Sequence, residues 1–339
     1  MLYVGIDVAK RSHEAVILDD QGEMRGKAFR IANSQVGLQH LLARVNQVNP
    51  EQQPVVFGLE ATRHYWLALY SHLKKSGQEV LALNPLQTGA YRRLQIRPVR
   101  NDRRDAWCVA EVLRLEPIVE TALASETALG VRHLTRLRVE LVDQIADQKR
   151  RVLGVLDQVF PEFETLFADI FGTTARALLE SYSSPEEIAR LDLDRLTALL
   201  NKHSRGRLGR AKAEEIQQAA RPSFGVTLAL DAWSIQLQLL LAQIRVLEQQ
   251  VADLEERIAF YLQQVPQHLT SIGGINQVLA AAIVGQIGDI HRFKNAAALV
   301  AYAGIDPRVF QAGEFEARSM RMSKRGSRYL RRALWQAAL

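Results

Sequence analysis

Residues 2–8 read Leu-Tyr-Val-Gly-Ile-Asp-Val, and residues 54–60 read Pro-Val-Val-Phe-Gly-Leu-Glu. Both are short apolar runs with the alternation of a β-strand, and both carry a carboxylate where the apolar run should continue. In the first, Leu2, Val4, Ile6 and Val8 take one face while Tyr3, Gly5 and Asp7 take the other. A carboxylate inside such a strand demands an explanation. Working outward, residues 14–19 (EAVILD) form a second strand, and a third near 26–31 follows the turn signal Asp20-Gln21-Gly22. A helical pattern over 35–47, a strand at 55–59, a helix at 63–75 and a strand at 79–83 come next, the last closed by Asn84-Pro85. A further helix starts near Asn101 or Asp102. The order βββαβαβα predicts an α/β domain with a mixed sheet over residues 1–125.

The rest of the chain reads differently. No strand is evident over 126–265, and apolar residues fall at 237, 240, 244, 247, 251, 254, 258, 261 and 265, the alternating three and four spacing of a coiled-coil seam. Its partner is either a helix of the same chain, such as 131–155, or another subunit. Residues 266–339 are small and apolar, then basic, and predict a mainly helical third unit. The Gly273-Gly274 pair in SIGGI resembles a helix-hairpin-helix turn, whose backbone N–H groups can meet a phosphate; core packing of two small-residue helices explains it equally well. The chain stops at Leu339 inside a helical pattern, so its end is expected not to be the natural one.

With 339 residues, 47% hydrophobic and 24% charged, the composition is that of a folded globular protein. No stretch has the length of apolar residues that a membrane span needs, and the N-terminus lacks a signal peptide's basic start. A soluble, cytoplasmic protein with no membrane partner is expected. The single cysteine, Cys108, excludes an internal disulfide, and no Cys/His array has zinc spacing. The absence of any GxxxxGK[ST] or GxGxxG motif removes support for nucleotide hydrolysis and dinucleotide chemistry.

The net charge of +6 is unevenly placed. Arg308 to Arg332 holds eight basic residues (Arg308, Arg318, Arg321, Lys324, Arg325, Arg328, Arg331, Arg332) against two acidic ones. Arg92 to Arg104 holds six arginines, Arg92, Arg93 and Arg100 among them, and one aspartate. Two such runs point to a polyanionic partner, and nucleic acid is the commonest. Asp102 and Asp105, three apart at a helix start, share one face. Taken singly, each of Asp7, Glu60, Asp102 and Asp105 reads as a helix cap or a solvated strand end. Together they have the layout of a ribonuclease H-like nuclease. Several carboxylates about 4 Å apart repel by roughly 4 kcal/mol per pair at an effective dielectric of 20, so such a site calls for divalent metal. Mg²⁺ suits it, and phosphodiester transfer is the implied reaction.

The stretches YVGIDVAK (3–10), GLEAT (58–62), Asn84-Pro85, RNDRRDA (100–106), SIGGI (271–275), AYAGIDPR (301–308) and SKRGSRYLRRAL (323–334) resemble the DEDD transposases of insertion-sequence family one hundred and ten. These are relatives of the Piv invertase and bridge-RNA-guided recombinases. The resemblance spans both ends of the chain. It implies a RuvC-like (ribonuclease H-like) α/β domain at 1–125, a helical coiled-coil region at 126–265 and a mainly helical C-terminal transposase domain at 266–339. It implies Asp7, Glu60, Asp102 and Asp105 as the catalytic, Mg²⁺-binding set. It further implies a serine nucleophile, donor and target DNA as substrates, a non-coding bridge RNA as guide, and a homo-oligomer, dimeric or tetrameric in the synaptic complex. The setting it implies is the nucleoid of a prokaryotic cell.

Two departures stand out. The family's EATG reads Glu60-Ala61-Thr62-Arg63 here, and the serine position is Ala312, in Gln311-Ala312-Gly313. An alanine methyl cannot attack phosphorus. Either the nucleophile has been removed by design, or the copy is naturally inactive, or Ser319 or Ser323 serves instead. The resemblance thus predicts a recombinase inactive as written. A junction-resolving RuvC-like nuclease acting by hydrolysis would need only the four acids; an actin-like ATPase lacks its glycine loops; a non-catalytic DNA scaffold would need no metal.

Overall fold

The computed structural model describes residues 1–61, 64–93, 101–115, 126–307, 311–312, 315–316 and 321–339. It divides into two compact units, Met1–Leu123 and Ala124–Leu339.

In the first unit, strands β1 (Leu2–Asp7), β2 (Ser12–Leu18) and β3 (Phe29–Ala32) precede helix α1 (Gln35–Val48). Strand β4 (Val55–Glu60), α2 (Trp66–Lys75), β5 (Glu79–Leu83), α3 (Pro85–Arg93) and α4 (Asp102–Leu115) follow. The sheet order is β3-β2-β1-β4-β5. β1 is antiparallel to β2 and parallel to β4, and β5 is parallel to β4. This mixed five-stranded arrangement is the ribonuclease H-like sheet expected of RuvC-like domains.

The alternation in β1 decides what lies on each face. Leu2, Val4 and Ile6 join Phe57, Leu59, Val80 and Ala82 in a core covered by Leu38, Leu41, Trp66, Leu69 and Leu73 of α1 and α2. The opposite face receives α4 through Ala106, Val109, Ala110, Val112 and Leu113. Gly5 and Gly58 are direct partners across β1 and β4. A Cβ on Gly5 would lie inside the contact distance of the Ala106 carbonyl and the Ala110 amide, so only glycine lets α4 approach this closely. Each glycine stands two residues before an acid, on the same face of its strand. The seat of α4 and the two strand carboxylates are therefore set by one local pattern.

Two expectations in this unit need correction. Asn84-Pro85 closes the strand as expected, but no element was expected before the helix near 101, whereas helix α3 begins at Pro85, with the proline in its first turn, where a missing N–H costs nothing. The third strand runs Phe29–Ala32 rather than 26–31.

The second unit is helical: α5 (Glu126–Val159), α6 (Phe163–Leu166), α7 (Thr173–Ser181), α8 (Pro185–Arg190), α9 (Leu193–Ser204), α10 (Arg210–Ala220), α11 (Leu230–Leu262), α12 (Gln277–Ile287), α13 (Ala296–Ala303) and α14 (Arg328–Ala337). A short hairpin, β6 (Gln311–Ala312) with β7 (Phe315–Glu316), interrupts the last stretch. The predicted seam pairs within the chain. α5 and α11 lie alongside each other, and Arg138 meets Glu255 while Lys149 meets Glu248, so the two run antiparallel. Leu237, Leu240, Ile244, Leu254 and Ile258 of the seam are buried.

Candidate active site

Asp7 and Glu60 end neighbouring parallel strands, one position beyond the Ile6–Leu59 pair. Asp102 and Asp105 stand in the first turn of α4, whose start is capped by the Asn101 side chain accepting from the Arg104 amide at 2.8 Å. Because α4 is seated on β1 through Gly5, its first turn comes to the strand ends. The other three acids act on Asp7: burial first, then Asp105, Asp102 and Glu60, raise its carboxyl from 3.8 to about 7, against the opposing pull of Arg92. Burial disfavours the charged form of Asp7 and the surplus of negative charge around it adds to the effect, so its proton is held up towards neutral pH.

The four are not equivalent. Glu60 is buried and accepts from Thr88 Oγ1 at 2.8 Å and from Arg92 at 2.5 Å. Arg92 also reaches Asp105, with Nε 2.8 Å from Oδ1, a charge contact whose N–H does not point at the oxygen. Burial lowers the Arg92 pKa, but the attraction of Glu60 and Asp105 outweighs it and the net shift is upward. Asp102 is largely exposed and lies 3.6 Å from Arg30. Among the described residues, no three Asp, Glu, His or Cys side chains are grouped closely enough to hold a metal ion. The Arg92 guanidinium spans Glu60 and Asp105 in their place.

Sequence reasoning put Arg92 among nucleic-acid contacts; the structure turns it into the acid pocket. It missed Thr88, which α3 brings to Glu60, and Glu14, which pairs with Asp7 across β1 and β2 and meets Arg30 at 3.4 Å. Glu14 was visible in the alternation of SHEAVIL as a polar residue opposite Asp7; Thr88 had no signal, since α3 itself was not foreseen.

The remaining candidates separate by environment. Arg100, Arg308, Arg318 and Ser319 lie outside the described residues, as do Thr62 and Arg63 of the altered EATG stretch. Arg321, Lys324, Arg325 and Arg328 are exposed, and Arg93 donates to the Gly89 carbonyl of its own helix. Arg331 donates to the carbonyls of Ala303 and Gly326, and Arg332 pairs with Asp143 at 2.7 Å. Ala312 lies on β6, opposite Phe315. Ser323 is buried and donates to Asp306 at 2.6 Å.

Residues 4–161 match the model of the IS110-type DEDD transposase domain, and residues 266–339 match that of the transposase family IS116/IS110/IS902. Residues 173–222 match a SAM-like helix-hairpin-helix tandem. That match covers α7 to α10, whereas sequence reasoning looked for such a hairpin at Gly273-Gly274, where a 3-10 turn, Leu269–Ser271, precedes α12. The spacing Leu208-Gly209, Ala213, Ile216 across the α9–α10 junction was its available signal.

Among known proteins, the chain is 29% identical over 322 residues to a mini-circle protein of Streptomyces coelicolor assigned as the transposase for IS117, covering 90% of this chain and 76% of that protein. It is 24% identical over 343 residues to the 44.8 kDa protein of insertion element IS116 of Streptomyces clavuligerus, covering 98% and 82%. Among solved structures, T. thermophilus RuvC in complex with Holliday junction substrate aligns with a TM-score of 0.24 at 16% identity, over 32% of this chain and 90% of that one. Among the described residues, no helix is long and apolar enough to cross a membrane.

Proposed function

The chain carries the transposase domains of the IS110/IS116 family, and from that premise we propose that it is the RNA-guided DNA recombinase of an insertion sequence. The reading joins donor and target DNA by metal-assisted phosphodiester transfer, with a bridge RNA as guide and a homo-oligomer, dimeric or tetrameric, as the assembly. It keeps a division of the second unit near residue 265, between the helical region and the C-terminal transposase domain, and a place at the prokaryotic nucleoid.

The observation that carries it is the field at Asp7. Burial first, and then three further acids, raise its carboxyl to about 7, and the part owed to those acids is negative charge that a divalent cation relieves. Carboxylate oxygens from β1, β4 and α4 are the hard donors that Mg²⁺ prefers, and Arg92 is a stand-in cation between two of them. Asp7, Glu60, Asp105 and Asp102 are the residues that would hold the ion, and because they are not grouped closely enough as they stand, Arg92 would have to withdraw and the carboxylates close together for them to do so. When bound, the ion supplies Lewis-acid stabilisation of the phosphodiester oxygens.

The chain's own groups supply the rest. Thr88 fixes the orientation of Glu60 by donating to it. Asp7 gives up its proton as positive charge enters, so loading falls as pH drops below about 7. Arg321, Lys324, Arg325 and Arg328 offer cations for phosphate contact. At the nucleophile position Ala312 offers no hydroxyl, so the chain binds but does not recombine.

The test is Ala312→Ser, assayed with Mg²⁺, guide RNA and a DNA pair. Strand exchange and covalent attachment of the protein to cleaved DNA are expected, and both should vanish with Asp7→Asn. Cleavage without a covalent adduct would transfer the reading to hydrolysis by a junction-resolving nuclease. An inert Ala312→Ser protein that binds metal and nucleic acid would overturn serine chemistry at this position.

A further inference from the structure

The second unit contains a cationic cavity apart from the acid pocket, which the basic run at 308–332 borders only through its end, at Tyr329 and Arg332. It measures about 260 Å³, lies between α5, α12 and α14, and is lined in part by Arg136, Arg138, Asn276, Gln286, Tyr329 and Arg332. Its charges divide into satisfied and unsatisfied. Arg138 pairs with Glu255 at 2.6 Å, and Arg332 with Asp143 at 2.7 Å.

Arg136 has no carboxylate partner among the described residues. One of its terminal nitrogens donates to Gln286 Oε1 at 2.9 Å, its guanidinium lies 4.8 Å from the centre of the Tyr329 ring, and its Nε is buried without an acceptor. Arg132, one turn earlier on α5, also buries an Nε without an acceptor and is in no ion pair among the described residues. Burial, and then the neighbouring charge of Arg132, hold the Arg136 pKa below its ordinary value. Gln286, which is 2% exposed, spends its Oε1 on Arg136 and on Ser327 Oγ, leaving its Nε2 buried with no acceptor.

The result is a set of buried donors without acceptors, on Arg136, Arg132 and Gln286, and at Arg136 a positive charge without a counter-ion among the described residues. Buried polar groups are nearly always paired, and a buried cation is costly alone. What fits is a compact anion with several acceptor oxygens. A carboxylate offers two. A phosphate offers more, and arginine recognises it with charge-assisted bonds.

We propose that the cavity between α5, α12 and α14 is an anion site that takes one phosphodiester group of a nucleic-acid strand, with the Arg136 guanidinium and Gln286 Nε2 as its donors. Arg132 adds charge from the adjacent turn. The choice of a polymer rests on the nucleic-acid function proposed above; the anion site itself does not.

The experiment uses the full chain with two probes. In thermal melting at constant ionic strength, replacing chloride with inorganic phosphate should raise the melting temperature of the wild type, and this shift should disappear in Arg136→Gln and Gln286→Leu. An undiminished phosphate shift in Arg136→Gln would overturn the site. In fluorescence anisotropy with a labelled DNA duplex and a labelled RNA of equal length, Arg136→Gln should bind the strand that crosses the cavity about tenfold more weakly. Its slope of log affinity against log salt should fall by about one. Arg136→Lys should retain the salt slope. If the phosphate shift is lost but both nucleic acids bind unchanged, the assignment to a strand is refuted. Failure of Ala312→Ser to recombine leaves the phosphate arm standing, so the two failures can be told apart.

Discussion

Gly5→Ala tests whether the seat of α4 is what assembles the acid pocket. The added methyl would lie 2.8 Å from Ala110 Cβ, and closer still to the Ala106 carbonyl and the Ala110 amide. Optimal separation between carbons is about 3.5 Å, so α4 must retreat by roughly 1 Å. Two of the three obstacles are backbone atoms that cannot rotate away. The cost should therefore reach the upper part of the usual overpacking range, about 3 kcal/mol. The same retreat carries Asp102 and Asp105 away from Asp7 and Glu60, and in an Ala312→Ser background that recombines, a displacement of about 1 Å should cost on the order of a hundredfold in rate.

Two further glycines give the comparison its power. At Gly58 a methyl would meet Leu113, with Cγ at 2.7 Å, a side chain that can turn aside; about 1 kcal/mol is expected. At Gly89, inside α3, nothing lies within 4 Å, so alanine should stabilise by about 0.5 to 1 kcal/mol through helix propensity. Urea unfolding followed by tryptophan fluorescence ranks the three. A Gly5→Ala protein within about 0.5 kcal/mol of the wild type, or a Gly58→Ala protein less stable than it, would refute the reasoning.

Asp7 predicts a pH dependence. Its folded pKa, about 7, exceeds the unfolded 3.8, so the native state binds more protons between those values. Its stabilising contribution is therefore complete below 3.8 and is lost as pH rises through 7. Metal-free wild type should lose stability between pH 5 and pH 8 by more than Asp7→Asn does, measured by urea midpoints; parallel slopes would contradict this. Phe163 is fully buried, with ring centres of Phe160 and Phe167 at 5.6 and 5.3 Å. Phe163→Ala should cost about 3 to 5 kcal/mol, and a loss under about 1 kcal/mol would show that the core around α6 can collapse.

The first unit was readable because its strands are buried on alternating faces, so that the exceptions, Asp7 and Glu60, stood out against an apolar background. Asp102 and Asp105 were legible as a pair from helical spacing. Their convergence with Asp7 and Glu60 was expected from the layout of the four acids, but the means was not, because it depends on Gly5 and Gly58 letting a helix settle on two strands. The contacts of Arg92 with Glu60 and Asp105 were not legible for a different reason: a long side chain can reach solvent or fold back, and its residue type does not say which. The seam of α11 had the right period, but the period leaves open whether the partner is α5 or another chain. The α9–α10 hairpin was overlooked because its signal is a handful of residues within an otherwise ordinary helical stretch.

The antiparallel α5–α11 pair links two separate cores. At one end, Val152 to Val159 and Leu237 to Ile244 enter the cluster built with α6 to α10; at the other, Val131 and Leu254 to Leu262 enter the cluster built with α12 to α14. Val131 and Val152 are 21 positions apart on one uninterrupted helix, which at 1.5 Å per residue is about 32 Å, close to one turn of a DNA duplex. The twin helices thus work as a caliper: the gap between the core around α6 to α10 and the core around α12 to α14 is metered by a count of heptads, each worth about 10 Å, and a longer or shorter pair would reset it without redrawing either jaw.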